Sequence, residues 1–393
     1  MNLLIAQCGG PTAVINASLA ALVEAAQTSS AIGRVQGARL GLEGLLAGDW
    51  VDLTGLTPDE LARLRVQPGA ALGGGRYRPS AAALDRTPAW LAARGIDAVV
   101  LIGGGGTMAA AQALDAAARA HDVSLQIVGV PKTIDNDLAG TEVAPGYGSA
   151  ARFIARMTRD AGLDLRAMRH FDDVMVVEVM GRHAGWLAAA AALARARPDD
   201  PPHLILLPEA PLEEERLLAH IAAIHRRAGY CLVVAAEGVR DLAGRFLAEK
   251  AASMESDASG QPLLSLAAGV APYLARCIRQ TLGLHCRQVR PDTLQRSCSA
   301  LASPLDRKLA ALAATGAVHA LVVEGRSAIM AGLTRNGTGW RVRFTPLADL
   351  AGRTRPLPPA FRDDERFDVT SRFLEYARPF VFDGDDGDAP LVW

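Results

Sequence analysis

The run Pro131-Lys132-Thr133-Ile134-Asp135-Asn136-Asp137 places two carboxylates and a lysine on one short loop. A hydroxyl that attacks phosphorus needs a base within hydrogen-bond reach and a positive charge or metal near the transferring oxygens. Asp135, Asp137 and Lys132 together could supply these. The chemistry that such residue types suit is phosphoryl transfer. Taken alone, the same seven residues also suit an Asx-type turn with a solvated lysine.

The elements around this loop follow from the apolar pattern. Residues 125–130 are nearly continuously apolar, which predicts a buried parallel strand whose carboxyl end delivers the loop into a crevice, where open α/β sheets bind ligands. Two more junctions share this design. Residues 2–7 read as an opening strand; Cys8-Gly9-Gly10-Pro11-Thr12 then turns into an apolar-periodic helix over 13–26, with Thr12 as its expected N-cap. Residues 98–102 read as a strand that meets Gly103-Gly104-Gly105-Gly106-Thr107 and an alanine-rich helix over 108–120. Glycines at a strand-to-helix junction let backbone amides approach an anion at the helix N-terminus. Neither loop matches G-x-x-x-x-G-K-[ST], and neither satisfies G-x-G-x-x-G in full.

Over essentially its whole length the chain resembles the phosphofructokinases, both ATP-dependent and pyrophosphate-dependent. Gly9-Gly10-Pro11-Thr12-Ala13-Val14-Ile15-Asn16 resembles the family's first phosphate loop, and Leu72-Gly73-Gly74-Gly75-Arg76 the segment whose arginine contacts the donor phosphates. The resemblance implies a donor set of Gly9, Gly10, Arg76, Gly104, Gly105, Gly106 and Thr107, with Lys132 beside it. Thr133-Ile134-Asp135 resembles the sugar-phosphate and catalytic loop, which implies that Asp135 is the general base for the sugar's 1-hydroxyl. Met180-Gly181-Arg182 resembles the Met-Gly-Arg element, implying that Arg182 stabilises charge on the transferring group. Leu207-Pro208-Glu209 resembles the substrate-binding Pro-Glu, and Thr293-Leu294-Gln295-Arg296 the late Gln-Arg element whose arginine grips the acceptor phosphate. Arg287 falls at the spacing of a further phosphate-binding arginine. The planar fork of arginine suits phosphate oxygens.

The implied activity is Mg²⁺-dependent transfer from pyrophosphate to the 1-hydroxyl of fructose 6-phosphate, in glycolysis or gluconeogenesis. An ATP-dependent 6-phosphofructokinase and a catalytically weak sugar-phosphate sensor are the alternatives. A lipid or nicotinamide-nucleotide kinase shares such glycine loops, but the Met-Gly-Arg and Gln-Arg elements favour a sugar phosphate. One departure concerns the metal: where the family usually carries a magnesium-associated aspartate this chain has Gly105, so the ion must lean on Asp135, Asp137 and the phosphates. The other concerns the donor. Gly106 leaves room for a nucleotide, whereas Lys132 suits pyrophosphate. Residues 9–16, with threonine after the proline, and Arg76-Tyr77-Arg78 resemble the pyrophosphate-dependent branch more closely, which tips the reading towards pyrophosphate.

Alternation of strands and helices predicts an α/β fold of two Rossmann-like lobes with largely parallel sheets, as the resemblance also implies. A helix is expected over 146–168, strands over 174–179, 203–207, 231–236 and 318–323, and a helical region over 262–282. The donor-phosphate lobe is expected to comprise 1–145, with part of the segment from about 325 to 393 returning to it, and the sugar-phosphate lobe 146–324. The chain has 393 residues, 50% of them hydrophobic, and a net charge of −1, which points away from nucleic acid and membrane surfaces. Its five cysteines lack metal-ligand spacing and read as reduced thiols in a cytoplasmic protein. The resemblance implies a homo-oligomer, a dimer or tetramer. The acidic residues Asp383, Asp385, Asp386 and Asp388 read as a solvated tail.

Overall fold

Short aliphatic runs bounded by glycine, proline and asparagine set the strands. The computed structural model describes residues 1–250, 269–350 and 352–382. Its main strands are β1 (Asn2–Gln7), β2 (Arg34–Ala38), β3 (Trp50–Asp52), β4 (Ala98–Gly103) and β5 (Gln126–Pro131), followed by β6 (Val174–Val179), β7 (Leu204–Leu206), β8 (Cys231–Ala236) and β9 (Cys286–Val289), then β10 (Ile329–Asn336) and β11 (Gly339–Pro346). The chain forms two units. One is Met1–Tyr147 with Arg296–Arg355; the other consists of the described residues of Gly148–Gln295 and Pro356–Trp393.

In the first unit seven strands run in the order β11-β10-β5-β4-β1-β2-β3. The pairs among β2, β1, β4, β5 and β10 are parallel, and the edges β3 and β11 are antiparallel. From β1 the chain first moves to β2 on one side and later returns to β4 on the other. The loops leaving β1 and β4 therefore diverge at a topological switch point, where open sheets bind ligands. Leu4, Leu101, Ile127 and Met330 belong to the apolar core of this unit.

The second unit carries a parallel sheet in the order β7-β8-β6-β9. The fully buried Trp186 meets Phe361, Phe373 and Tyr376, which ties the C-terminal helix Ser371–Val381 to this unit. Burying so much aromatic area at one point is a strong anchor.

Three expectations change. Residues 318–323 are not a strand: most of that run ends helix Pro304–Val322, which Ser303 starts by accepting a hydrogen bond from Asp306 N. A short apolar run cannot by itself distinguish a strand from a buried helix, and the Ser-Pro start decides it. The helix packs on helix Ile15–Gln27, where Ser18 Oγ donates to Ala310 O at 3.3 Å. Consequently the return to the first unit begins at Arg296 and ends at Arg355, and the residues from 356 to 382 belong to the second unit. Thr12 is not an N-cap, because helix Ile15–Gln27 begins after Val14; Thr12 Oγ1 instead accepts from Val14 N at 3.2 Å. The expected helical region 262–282 is described from Val270 onward, and its first part lies outside the described residues, as does the acidic tail.

Candidate active site

In the first unit the glycine loop after β1 is closely approached by two cationic side chains. Gly9 has φ +77°, and a Cβ there would lie 3.1 Å from Lys132 Nζ; a Cβ on Gly10 would lie 3.1 Å from Arg296 Nη1. The Lys132 ammonium donates to Gly10 O at 2.9 Å. Two cations from distant parts of the chain therefore converge on this loop. A third, Arg76, lies near enough to disfavour charge on Arg296, whose pKa is lowered mainly by burial and then by Arg76. Gly75 O accepts from Gly9 N at 3.0 Å, which brings the 72–76 segment onto the same loop.

The loop after β4 differs from expectation in a way that improves it as an anion site. Helix Gly105–Ala120 begins at Gly105 rather than at 108, so Gly105, Gly106 and Thr107 form its first turn. Gly104 is the N-cap and supplies no side-chain hydrogen bond to the first turn. A Cβ on Gly105 or Gly106 would meet nothing within 4 Å. The N-terminal end of a 16-residue helix, open and without a side-chain cap, favours negative charge.

The third loop leaves β5 at Pro131. Lys132 is 5% exposed, and burial lowers its pKa to about 8; Cys8, Asp135 and Asp137 oppose that shift and Arg296 adds to it. The two carboxylates thus partly offset the effect of burial on the ammonium, which is not the solvated lysine of a simple Asx turn. Burial likewise pushes the Cys8 thiol up to about 12, so it is an inert neighbour at neutral pH. Asp135 N donates to Thr133 Oγ1 at 3.0 Å. Asn136 is fully buried at φ +54°, a conformation asparagine tolerates, and its Oδ1 accepts from Ala144 N at 2.9 Å. Arg355 clamps the far side: its N–H donates to Asp137 O at 2.7 Å and its Nη1 to Thr141 O at 3.2 Å. No sequence motif flags Arg355, because its partners lie more than 200 residues away.

The second unit holds the remaining candidates. Met180, Gly181 and Arg182 follow β6, with Gly181 at φ +133° and Met180 N donating to Gln295 Oε1 at 2.9 Å. Glu209 accepts from Gly185 N at 2.9 and 3.1 Å and from Leu357 N at 2.6 Å. Its carboxyl pKa is raised by burial against these bonds. Arg287 pairs with Asp172 at 2.6 Å while most of its side chain stays exposed. Arg296, expected with these acceptor groups, belongs instead to the first unit, against Gly10.

Among the described residues no group of three or more histidine, cysteine, aspartate or glutamate side chains comes together to hold a metal. Carboxylate oxygens such as those of Asp135 and Asp137 are of the hard donor type that Mg²⁺ favours, an ion that keeps several waters and takes further oxygens from phosphate. No described helix is long and apolar enough to cross a membrane.

Glycine turns at a switch point, three converging cations and a pair of carboxylates define an α/β phosphotransferase. Residues 2–321 match the phosphofructokinase family. A pyrophosphate–fructose 6-phosphate 1-phosphotransferase of Xanthomonas campestris is 37% identical over 401 residues, covering 100% of this chain and 93% of its own length. A sulfofructose kinase of Alkalicoccus urumqiensis is 34% identical, covering 93% of each chain. The crystal structure of a pyrophosphate-dependent phosphofructokinase from Nitrosospira multiformis superposes with a TM-score of 0.87 at 32% identity, covering 100% of this chain and 94% of its own. The chain belongs to the phosphofructokinase family.

Proposed function

We propose that the protein transfers a phosphoryl group from pyrophosphate to the 1-hydroxyl of fructose 6-phosphate, giving fructose 1,6-bisphosphate and phosphate reversibly. The observation that carries this reading is the buried Lys132 ammonium, bonded to Gly10 O and adjoined by Arg296 on the same loop. Such concentrated positive charge suits a compact donor with charge at both ends. Arg76, Gly9, Gly10 and the Gly104 to Thr107 turn complete the donor set. Mg²⁺, held by Asp135 and Asp137, would neutralise charge on the donor oxygens.

Asp135 acts as the base: it takes the proton of the 1-hydroxyl as that oxygen attacks the terminal phosphorus. Arg182 offsets charge that develops in the transition state. Arg287, Thr133, Glu209 and the Met180-Gly181 turn serve the sugar phosphate, Glu209 through the two backbone amides that it anchors. Arg296 joins the donor side as a third cation. The protein works in the cytoplasm as a homo-oligomer.

ATP is the second reading, favoured by the empty space around Gly106. The test is formation of fructose 1,6-bisphosphate from fructose 6-phosphate and Mg²⁺ with pyrophosphate or ATP in parallel. Turnover with pyrophosphate alone is expected. Turnover with ATP alone reverses the donor, and silence with both overturns the enzyme reading in favour of a sugar-phosphate sensor.

A further inference from the structure

Two side-chain amides that no donor or acceptor role absorbs lie fully buried beneath the first glycine loop: Gln7, the last residue of β1, and Asn16, in the first turn of the following helix. They bond to each other, Gln7 Nε2 donating to Asn16 Oδ1 at 2.9 Å. Every other strong bond they make reaches one distant segment. Leu72 N donates to Gln7 Oε1 at 2.9 Å, Ala71 N donates to Asn16 Oδ1 at 2.9 Å, and Asn16 Nδ2 donates to Gln67 O at 3.0 Å. Gln7 Nε2 also makes a long contact of 3.4 Å to Ile15 O.

This pattern uses both poles of both amides. Oδ1 of Asn16 accepts twice, Oε1 of Gln7 accepts once, and each NH₂ donates. A carboxylate could not donate to Gln67 O, and an aliphatic side chain could accept from neither Ala71 nor Leu72. Buried polar networks persist when every member is satisfied, and they then fix a unique arrangement. What is fixed here is the register of 67–72 against the loop. Four residues beyond Leu72 lies Arg76, and between them Gly75 O accepts from Gly9 N at 3.0 Å.

We propose that the Gln7–Asn16 amide pair is the positioning device of the donor-phosphate site, holding the 67–76 segment so that the Arg76 guanidinium and the Gly9–Gly10 turn face the same diphosphate. Neither residue touches the donor. Both act through the segment they clamp, and this role rests on the pyrophosphate reading above.

The test is a split in Michaelis constants on the full-length protein. Asn16→Ala is expected to raise the KM for pyrophosphate by about tenfold while changing that for fructose 6-phosphate less than twofold. Arg76→Ala raises the same constant, and Asn16→Ala has a smaller effect in the Arg76→Ala background than in the wild type, because the pair acts in part through that arginine. Ala71→Pro is an exposed variant that removes the N–H accepted by Asn16 and leaves both amide side chains in place, so it reports even where Asn16→Ala does not fold; a shift of about threefold in the same constant is expected. An unchanged KM for pyrophosphate in Ala71→Pro and Asn16→Ala, or equal changes for both substrates, overturns the positioning role. Calorimetry separates the two claims. Wild-type protein that binds no pyrophosphate overturns the donor reading, and the positioning role with it; wild type that binds while the variants bind equally well overturns the positioning role alone.

Discussion

The two units treat their charged groups in opposite ways. In the first, cations crowd around a glycine loop: Lys132 is buried enough to lower its pKa to about 8, and Arg296 is held below its ordinary value by burial and by Arg76. Cations that destabilise one another are poised for an anion, which relieves both desolvation and repulsion on binding. In the second unit the candidates are already engaged with protein groups. Glu209 takes two backbone amides, and Arg287 is paired with Asp172. The contrast lies between cations whose charge is disfavoured by burial and mutual repulsion in the first unit and groups held by protein partners in the second, which on the proposed reading makes the first the donor side.

The largest expected effect tests the base. Asp135→Ser should lower kcat by about 10³-fold, within the usual worth of a positioned general base, with the KM for fructose 6-phosphate changed little. Comparable turnover would remove Asp135 from that role and leave the first unit as a binding site only.

The next effect probes the strained lysine. Because burial lowers its pKa to about 8 from 10.5, Lys132 loses its charge as pH rises through about 8, and kcat/KM for pyrophosphate should fall above that pH. The sign for stability is opposite. Between about 8 and 10.5 the unfolded chain keeps a proton that the folded protein has released, so folding stability contributed by this group rises with pH. Lys132→Met should abolish both trends and lower kcat/KM for pyrophosphate by about 10²-fold. A pH profile unaltered by Lys132→Met would deny that this lysine serves the donor.

Glu209→Gln tests the scaffold side. The amide keeps one acceptor but turns an NH₂ towards a backbone donor, so a loss of about 1.5–3 kcal/mol in stability is expected together with a higher KM for fructose 6-phosphate. A higher KM without any change in thermal stability would mean that Glu209 meets the sugar directly and is no scaffold. The smallest effect is that of Arg287→Ala. Its side chain is largely exposed, and a rise in the KM for fructose 6-phosphate of roughly tenfold is expected from losing a charged hydrogen bond to phosphate, with some loss of stability because Asp172 is left unpaired. Equal constants in the variant would reduce Arg287 to a surface ion pair with Asp172.

The strand-ending loops were legible because glycine runs and the 131–137 carboxylates are local signals that sit beside strongly apolar strands. The start of the second glycine helix was not: glycine has poor helix propensity, so 105–107 read as loop until the structure made them the first turn. Residues 318–323 misled for a related reason, since their alanine and valine content suits either a strand or a buried helix. The unit boundaries depend on contacts between residues far apart in sequence, such as Ser18 with Ala310 and Ile205 N with Phe367 O, which no periodicity encodes. The same holds for the clamps formed by Gln7, Asn16 and Arg355. Single polar residues announce chemistry only when a motif frames them, and buried amides otherwise look like ordinary polar positions. Arg296 was named by its motif, but its place against Gly10 depends on a contact between residues far apart in sequence.

The most direct measurement of the central claim is the reverse reaction followed by phosphorus NMR, with purified protein, Mg²⁺, fructose 1,6-bisphosphate and inorganic phosphate. A growing pyrophosphate resonance, matched by fructose 6-phosphate and lost in Asp135→Ser, is the predicted result. No pyrophosphate from phosphate, alongside ATP formed when ADP takes its place, would contradict the account and return the cation cluster to a nucleotide donor.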